Sequence, residues 1–300
     1  MRIFALLVLS LLWGSTFLWT KILLVDFHPF AIVFYRCLFG LIMLLPIIFM
    51  KGLQKQLIPT KSLIFTAALG AAIPWTLMTY SQQYLDTTIS GIINALSPIL
   101  TIILSVLLFK KQANFSEWIS VGIGFSGMMM IFLFQQHFEA SNQIVGTVIL
   151  LCAAACYSLT SLLTDKYHQA VSPYILAVWT LTIAVVICGL LAFIVQPDHI
   201  VHVLSPVHLL IFVIFGMLSS GIGYVLFYYL VHEGGPVFAV FVTFLMPCVT
   251  FLLGAVILDE VITWNMGAGL VLVLTSIMFL TKGKQKRSWK HVKKHYQKSI

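Results

Sequence analysis

The chain has 300 residues, of which 60% are hydrophobic and only 9% charged, with a mean hydropathy of +1.04. Soluble domains carry about 25% charged residues, so this chain cannot cover a core with a polar surface, and a soluble enzyme or soluble binding module is excluded. A formal net charge of +8 would suggest nucleic acid as a partner of a soluble protein; here its position along the chain has to be read first.

A membrane helix needs roughly 20 apolar residues. Ten segments meet that requirement: 3–25, 30–50, 62–84, 87–109, 115–135, 143–164, 173–195, 207–231, 236–258 and 262–281. The loops left between them average about six residues, too short for a soluble domain. The first span carries Trp13-Gly14-Ser15-Thr16 in its middle and no small-residue cleavage site after it, so it is expected to remain in the mature protein. Trp13, Thr16 and Thr20 share one face of that helix, and Lys21 lies near its end. Arg36 sits seven residues into the second span, roughly 9 Å deep at about 1.5 Å per residue. The third span contains Pro74-Trp75 and Tyr80, and the fourth contains Asn94 and Pro98. In the sixth, Tyr157, Ser161 and Thr164 nearly repeat the face of the first; in the eighth, Gly216/Ser220 and Ser219/Gly223 are small residues four apart that favour close helix contact. The ninth contains Thr243 and Pro247.

Lysine and arginine set the orientation of such a chain. With the N-terminus inside, 15 of the 17 basic residues fall on inner loops and ends, including Arg2, Lys51, Lys61, Lys110, Lys111 and Lys166. Outer loops carry Asp26, Asp86, Glu139, Asp198, Asp259 and Glu260. Both termini are therefore expected in the cytoplasm, which an even number of spans allows. The tail 282–300 holds eight basic and no acidic residues, so it carries the whole net charge. Trp289, Val292 and Tyr296 interleave there at helical spacing, as in an interfacial helix on anionic lipid; a plain solvated tail is the alternative. Nucleic acid is not an expected partner.

The two halves resemble each other. Leu96-x-Pro98-x-x-Thr101-x-x-Leu104 recurs 149 residues later as Leu245-x-Pro247-x-x-Thr250-x-x-Leu253, and the same offset aligns Tyr80 with Tyr229 and Pro74 with Gly223. Earlier in each half, an offset of 144 aligns Thr16 with Thr160, Pro29 with Pro173, and Trp13-Gly14-Ser15 with Tyr157-Ser158-Leu159. Lys110-Lys111 ends the fourth span and Asp259-Glu260 the ninth. Because five is odd, the second half crosses in the opposite sense, and the positive-inside rule then requires this reversal of sign. The fold class expected is an all-α integral membrane protein of ten transmembrane helices as two inverted five-helix repeats, residues 1–137 and 138–281, with residues 282–300 a basic cytoplasmic tail.

Ten short-looped spans, the five-plus-five duplication, Trp13-Gly14-Ser15-Thr16-Phe17 with Lys21, Arg36, and the proline-bearing fourth and ninth spans resemble the drug/metabolite transporter superfamily, EamA type. The resemblance covers residues 1–281. It implies a bacterial inner-membrane carrier, usually an exporter of small metabolites or amino acids, with a central cavity between the halves.

The residues themselves offer candidates for solute contact. Charges at membrane depth are costly and point to function, so Lys21 and Arg36 could form an electropositive wall for a carboxylate or another anionic group. Lys21 could instead snorkel to the interface, and Arg36 could be tied to carbonyls or to Asp26. Pro98 and Pro247 each remove an N–H and clash with the carbonyl four residues back, those of Asn94 and Thr243. This marks them as helix-break or gating positions, or as simple packing kinks. Trp13, Thr16, Trp75, Tyr80, Asn94, Tyr157, Ser161 and Thr243 complete the candidate substrate-binding set.

The five cysteines lie in apolar runs; Cys152 and Cys156 share a helix face but lack His or carboxylate neighbours, so neither a metal nor any other cofactor is expected. The Asp, Glu and His residues near the spans are peripheral (Asp86, Glu117, Asp165, His232) and outline no proton relay. No HExxH, GxSxG or carboxylate pair within a span marks an enzyme. The expectation is a secondary transporter of a small molecule, monomeric or homodimeric; an integral-membrane enzyme, channel or sensor is the alternative.

Overall fold

A computed structural model describes residues 1–54, 57–110, 115–133, 140–195, 205–259, 263–272 and 274–276. In chain order the helices are α1 (Arg2–Leu23), α2 (Pro29–Met50), α3 (Lys61–Ser81), α4 (Thr87–Phe109), α5 (Phe115–Leu133), α6 (Ala140–Tyr167), α7 (Pro173–Val195), α8 (Pro206–Gly234), α9 (Pro236–Ile257) and α10, within Trp264–Ser276. Among the described residues, eight helices, α1–α4 and α6–α9, are long and apolar enough to cross a membrane, which makes the chain a multi-pass membrane protein. The sequence predicts ten spans; α5 has 19 residues and the described part of α10 is shorter than a span. Lys111, Glu139, Asp198, Glu260, the side chain of Glu117 and the tail 282–300 with its expected interfacial helix lie outside the described residues.

The helix starts follow from local chemistry. Proline opens α2, α7, α8 and α9 within the first turn, where its missing N–H costs nothing and its φ is already helical. Side chains cap helix starts: His28 accepts from Phe30 N–H, Thr60 from Leu63 N–H and Ser205 from His208 N–H. Gly235, at φ +79, makes the tight turn between α8 and α9.

Two helices contain a π-helical turn, Ala68–Ala72 in α3 and Gly216–Ile222 in α8. Such turns insert an extra residue and leave carbonyls that need outside donors. In α3, the Gly70 carbonyl accepts from the Tyr224 hydroxyl at 2.5 Å. Ala72 O accepts from the Thr76 hydroxyl at 2.6 Å. In α8, the Ser219 carbonyl accepts from the Trp13 indole N–H at 2.8 Å.

The most extensive contacts join α2 to α7, α1 to α9, α2 to α8, α3 to α6 and to α7, and α4 to α6 and α9. One large apolar core runs through these helices, including Leu9, Trp13, Phe17, Ala71, Tyr157, Leu181, Phe227 and Phe244. The outer faces of the bundle carry Phe4, Leu11, Phe49, Phe65, Leu107, Leu190 and Val256, all exposed, as a lipid-facing surface requires. Backbones approach closely where glycine permits it. A Cβ added to Gly40 of α2 would fall 2.9 Å from both Gly216 O and Gly221 N of α8, and Gly91 of α4 lies against the Thr250 side chain of α9.

The end of the bundle that carries Met1 is tied by polar contacts. Arg2 donates to Glu233 O at 2.7 Å, Lys51 lies over the Tyr174 ring and Lys166 over the rings of Phe109 and Tyr167. Just beyond α6, the buried His168 ring sits 3.2 Å from the Thr66 hydroxyl and 3.4 Å from that of Ser62, latching α6 to the start of α3. Burial holds the His168 imidazole below its ordinary pKa, against a smaller opposing effect of hydrogen bonding at Ser62. The unfolded chain therefore takes up a proton at higher pH than the folded one. The latch contributes its full stability above about pH 6.5 and loses it as pH falls toward the lower folded value. The apparent melting temperature of detergent-solubilised protein is expected to fall between about pH 7.5 and 5.5, and a His168→Gln variant should lose that part of the slope. Identical slopes for both proteins would rule the latch out as the source.

Candidate functional site

α1, α3, α4, α6 and α9 enclose a cavity at about the middle of the bundle. Its walls are Trp13 and Thr16 from α1, Pro74, Trp75 and Met78 from α3, Asn94 from α4, Ala153 and Tyr157 from α6, and Thr243 and Met246 from α9. It holds about 40 Å³, enough for roughly two or three waters and far below the roughly 300–1,000 Å³ of small-molecule pockets. A metabolite can enter only if its walls separate. A larger groove of about 400 Å³ opens near Met1, but Phe4, Val8, Val225 and Leu226 line it with only tyrosine hydroxyls among them, so it offers few groups to orient a polar solute.

Two positions explain how the cavity is built. α4 breaks after Asn94 and resumes at Ser97, with Pro98 in the first turn of the second piece. The Asn94 carbonyl accepts from the Ser97 hydroxyl at 2.6 Å, and its amide side chain reaches Met246 Sδ at 3.8 Å. In α9 the interruption falls at Phe241, between Pro236–Val240 and Val242–Ile257, and the helix runs on through Pro247. A proline is tolerated inside a membrane helix where neighbours satisfy the freed backbone. Thr243 lies in the first turn of the resumed helix, and its hydroxyl donates to Val240 O at 2.8 Å.

The aromatic wall is a connected cluster. Trp13 meets Tyr157 edge-on with centroids 5.3 Å apart and also contacts Tyr224 and Phe227. Tyr157 tilts against Phe227 at 4.7 Å, and Trp75 stacks on Tyr224 at 4.9 Å. Tyr228, behind them, shares a 2.6 Å hydrogen bond with Thr180. Phe227 and Tyr228 carry this cluster from the cavity wall toward the Met1 end of the bundle.

Six of the ten residues predicted from sequence thus line one cavity: Trp13, Thr16, Trp75, Asn94, Tyr157 and Thr243. The other four do not. The Tyr80 hydroxyl pairs with the His28 ring at 3.1 Å at the far end of the bundle. The Ser161 hydroxyl turns back to Ser158 O at 2.7 Å within α6. Lys21 Nζ donates to Gln82 O and Leu85 O at 3.1 and 3.2 Å, closing the carbonyl end of α3. Arg36 lies one side chain away from the cavity, behind Trp75, where its guanidinium carbon is 3.3 Å from the Trp75 ring centroid and 4.0 Å from that of Phe215. Its Nε donates to the Ser220 hydroxyl at 3.1 Å. Pro74, Met78, Ala153 and Met246 complete the walls; they were missing from the candidate set because nothing separates an apolar cavity residue from an apolar core residue before the helices are assembled.

The placement of Lys21 carries a direct expectation. Lys21→Met should lower thermal stability by about 1.5–3 kcal/mol, the worth of a hydrogen bond involving a charged group, while half-saturation of transport stays unchanged. A weakened half-saturation at unchanged melting temperature would place Lys21 in solute contact instead.

Comparison with known proteins gives a consistent picture. The model of the EamA-like transporter family matches residues 1–133 and 144–282. YvbV of Bacillus subtilis (strain 168), named an uncharacterized transporter, is 23% identical over 93% of this chain and 92% of its own. YedA of Escherichia coli (strain K12), named an uncharacterized inner membrane transporter, is 22% identical over 93% of this chain and 90% of its own. An uncharacterized transporter of Buchnera aphidicola subsp. Schizaphis graminum (strain Sg) is 29% identical, but there the match spans about half of each chain, 51% of both. One crystal structure superposes with a TM-score of 0.71 over 93% of this chain and 96% of the other at 14% identity, a likeness of fold.

Proposed function

Because the chain belongs to the EamA-like transporter family, we propose that it is a secondary transporter exporting a small metabolite or amino acid across the bacterial inner membrane by alternating access. The solute is held in the cavity between Trp13 and Tyr157, at the junction of two inverted five-helix repeats, residues 1–137 and 138–281. The observation that carries this reading is that matched positions of the two halves meet at the cavity. Trp13 and Tyr157, 144 residues apart, are in ring contact. Trp75 and Tyr224, 149 apart, are stacked. Asn94 and Thr243, also 149 apart, line the same walls.

Helix packing supports the same symmetry. Advancing every helix number by five within the ten turns the α1–α9 contact into α6–α4 and the α2–α8 contact into α7–α3, while α2–α7 and α4–α9 map onto themselves; all six are extensive contacts. The π turns obey it too, since the 149-residue offset carries 68–72 onto 217–221, inside the second π turn. A two-fold axis in the membrane plane, with the solute near the midplane, is the arrangement of inverted-repeat carriers. Arg2, Lys51, Lys61 and Lys166 gather toward one end of the bundle, which supports cytoplasmic termini. With that orientation the aromatic cluster lies on the cytoplasmic side of the cavity. The export direction rests on the family alone.

Reconstitution of the purified chain into liposomes tests the reading. Uptake of a labelled amino-acid and organic-acid mixture, read by mass spectrometry, should saturate and be stimulated by the same solutes trapped on the opposite side. Flux that rises linearly without countertransport would indicate a channel, and conversion of a solute into a new compound would indicate an enzyme.

A further inference from the structure

We infer that the Arg36 guanidinium is a carboxylate receptor covered by the Trp75 ring, and that the transported solutes are therefore monocarboxylates or zwitterions whose carboxylate displaces Trp75 on binding. The inference deepens the transport reading and rests on it.

Arg36 is completely buried and is the largest such side chain among the described residues. Taking an ion of this size out of water costs several kcal/mol unless its charge and donors are answered. Here they are answered only in part. The ring of Trp75 takes the charge by cation–π contact at 3.3 Å, with Phe215 at 4.0 Å. Ser220 takes the Nε proton. Nη1 and Nη2 are buried without a hydrogen-bond partner, and no ion pair involves Arg36 among the described residues. The faces of the plane and one corner are held, while the terminal N–H groups are unanswered.

That remainder has a definite complement. Parallel N–H groups of a guanidinium match the two oxygens of a carboxylate in a bidentate pair. One cation neutralises one negative charge, which favours a carboxylate over a phosphate ester carrying about −1.5 to −2. Lysine could not substitute, because a point charge offers neither the planar fork nor the ring-stacking faces.

Access follows from the position of Trp75. The same ring covers Arg36 and forms part of the cavity wall, and it stacks on Tyr224, whose hydroxyl holds Gly70 in the π turn of α3. A carboxylate arriving in the cavity reaches Arg36 by moving this one ring. The movement enlarges a cavity otherwise too small for a metabolite and perturbs the aromatic cluster beside it. Recognition of the charge and opening of the site are then one event.

The test compares carboxylic acids with their primary amides, which keep the shape and lose the charge. The full chain in liposomes takes up the labelled mixture in competition with unlabelled leucine, 4-methylvalerate or the corresponding amides. Each acid should compete at least about tenfold better than its amide, as expected for a charge-assisted bidentate pair. In Arg36→Gln, acid and amide should compete alike. Since that variant can fail to fold, the unaltered protein in detergent supplies a second measurement. The acids should raise the melting temperature and change tryptophan fluorescence, the amides should do neither, and Trp75→Phe should lose most of the fluorescence change. Saturable flux with amides competing as well as acids would overturn the carboxylate assignment and leave the transport reading standing. Chloride or inorganic phosphate stabilising as strongly as the acids would also overturn it. A folded, reconstituted protein that moves none of the mixture would overturn the transport reading and this inference with it.

Discussion

Trp13→Ala is expected to reduce transport more than about tenfold and to lower stability by about 3–5 kcal/mol, the usual loss for a buried tryptophan truncated to alanine. The residue has no redundancy. It forms one wall of the cavity and contacts Tyr157, Tyr224 and Phe227. Its indole N–H also answers the Ser219 carbonyl in the π turn of α8. Truncation removes the ring packing and leaves that carbonyl buried without its donor, so contact and hydrogen-bond losses add. Gly223 is fitted to the same ring: a Cβ there would lie 2.5 Å from the indole nitrogen. Trp13→Phe should therefore be intermediate, keeping the packing and losing the hydrogen bond. Melting curves in detergent, followed by flux in liposomes for whatever remains folded, separate the two contributions. Unchanged flux in Trp13→Ala at unchanged melting temperature would remove the residue from the cavity's working parts.

Gly216→Val is expected to have the second large effect, and it acts from outside the cavity. A Cβ at Gly216 would fall 2.7 Å from Arg36 O and 2.7 Å from Phe39 Cβ, both on α2. One of these two atoms is backbone, which cannot rotate away, so α2 and α8 must move apart. Overpacking of this kind costs about 1–3 kcal/mol, and here separation would also pull Ser220, four residues on, from Arg36 Nε. The expected outcome is a marked fall in monodisperse protein by gel filtration, with Gly216→Ala milder. Normal yield and melting for Gly216→Val would contradict the close approach of the two helices.

The extent to which the sequence foretold this arrangement can be judged residue by residue. Helix positions were readable because hydropathy and Pro-opened starts are local signals, as at Pro29, Pro173 and Pro236. The repeated patterns in the sequence pair Trp13 with Tyr157 and, around Pro98 and Pro247, Asn94 with Thr243, and these four residues line one cavity. The depth of Arg36 was equally plain. What sequence could not supply was rotation and tilt. Lys21 and Arg36 looked like partners, yet Lys21 turns to carbonyls at the end of α3 while Arg36 turns to α3 and α8. Tyr80 and Ser161 occupy reasonable depths on faces that point elsewhere. The π turns leave no composition signature, because an extra residue in a helix is settled by tertiary donors such as Tyr224 and Trp13. The interruption of α9 at Phe241 rather than at Pro247 has the same origin.

Under the proposed two-repeat, alternating-access reading, the ring pairs Trp13–Tyr157 and Trp75–Tyr224 bear on which way the protein faces at rest. In a carrier of two identical inverted repeats, exchanging the conformations of the halves produces the opposite-facing state, and the two states are degenerate by symmetry. Any preference must come from positions where the halves differ, and a difference on the axis acts directly because each residue there packs on its own counterpart. Tryptophan facing tyrosine at 13 and 157, and again at 75 and 224, are such differences. Making the members of a pair alike, one pair at a time, should shift the proposed resting bias, and because Trp13, Tyr157 and Trp75 line the cavity the same changes also alter the walls that meet the solute.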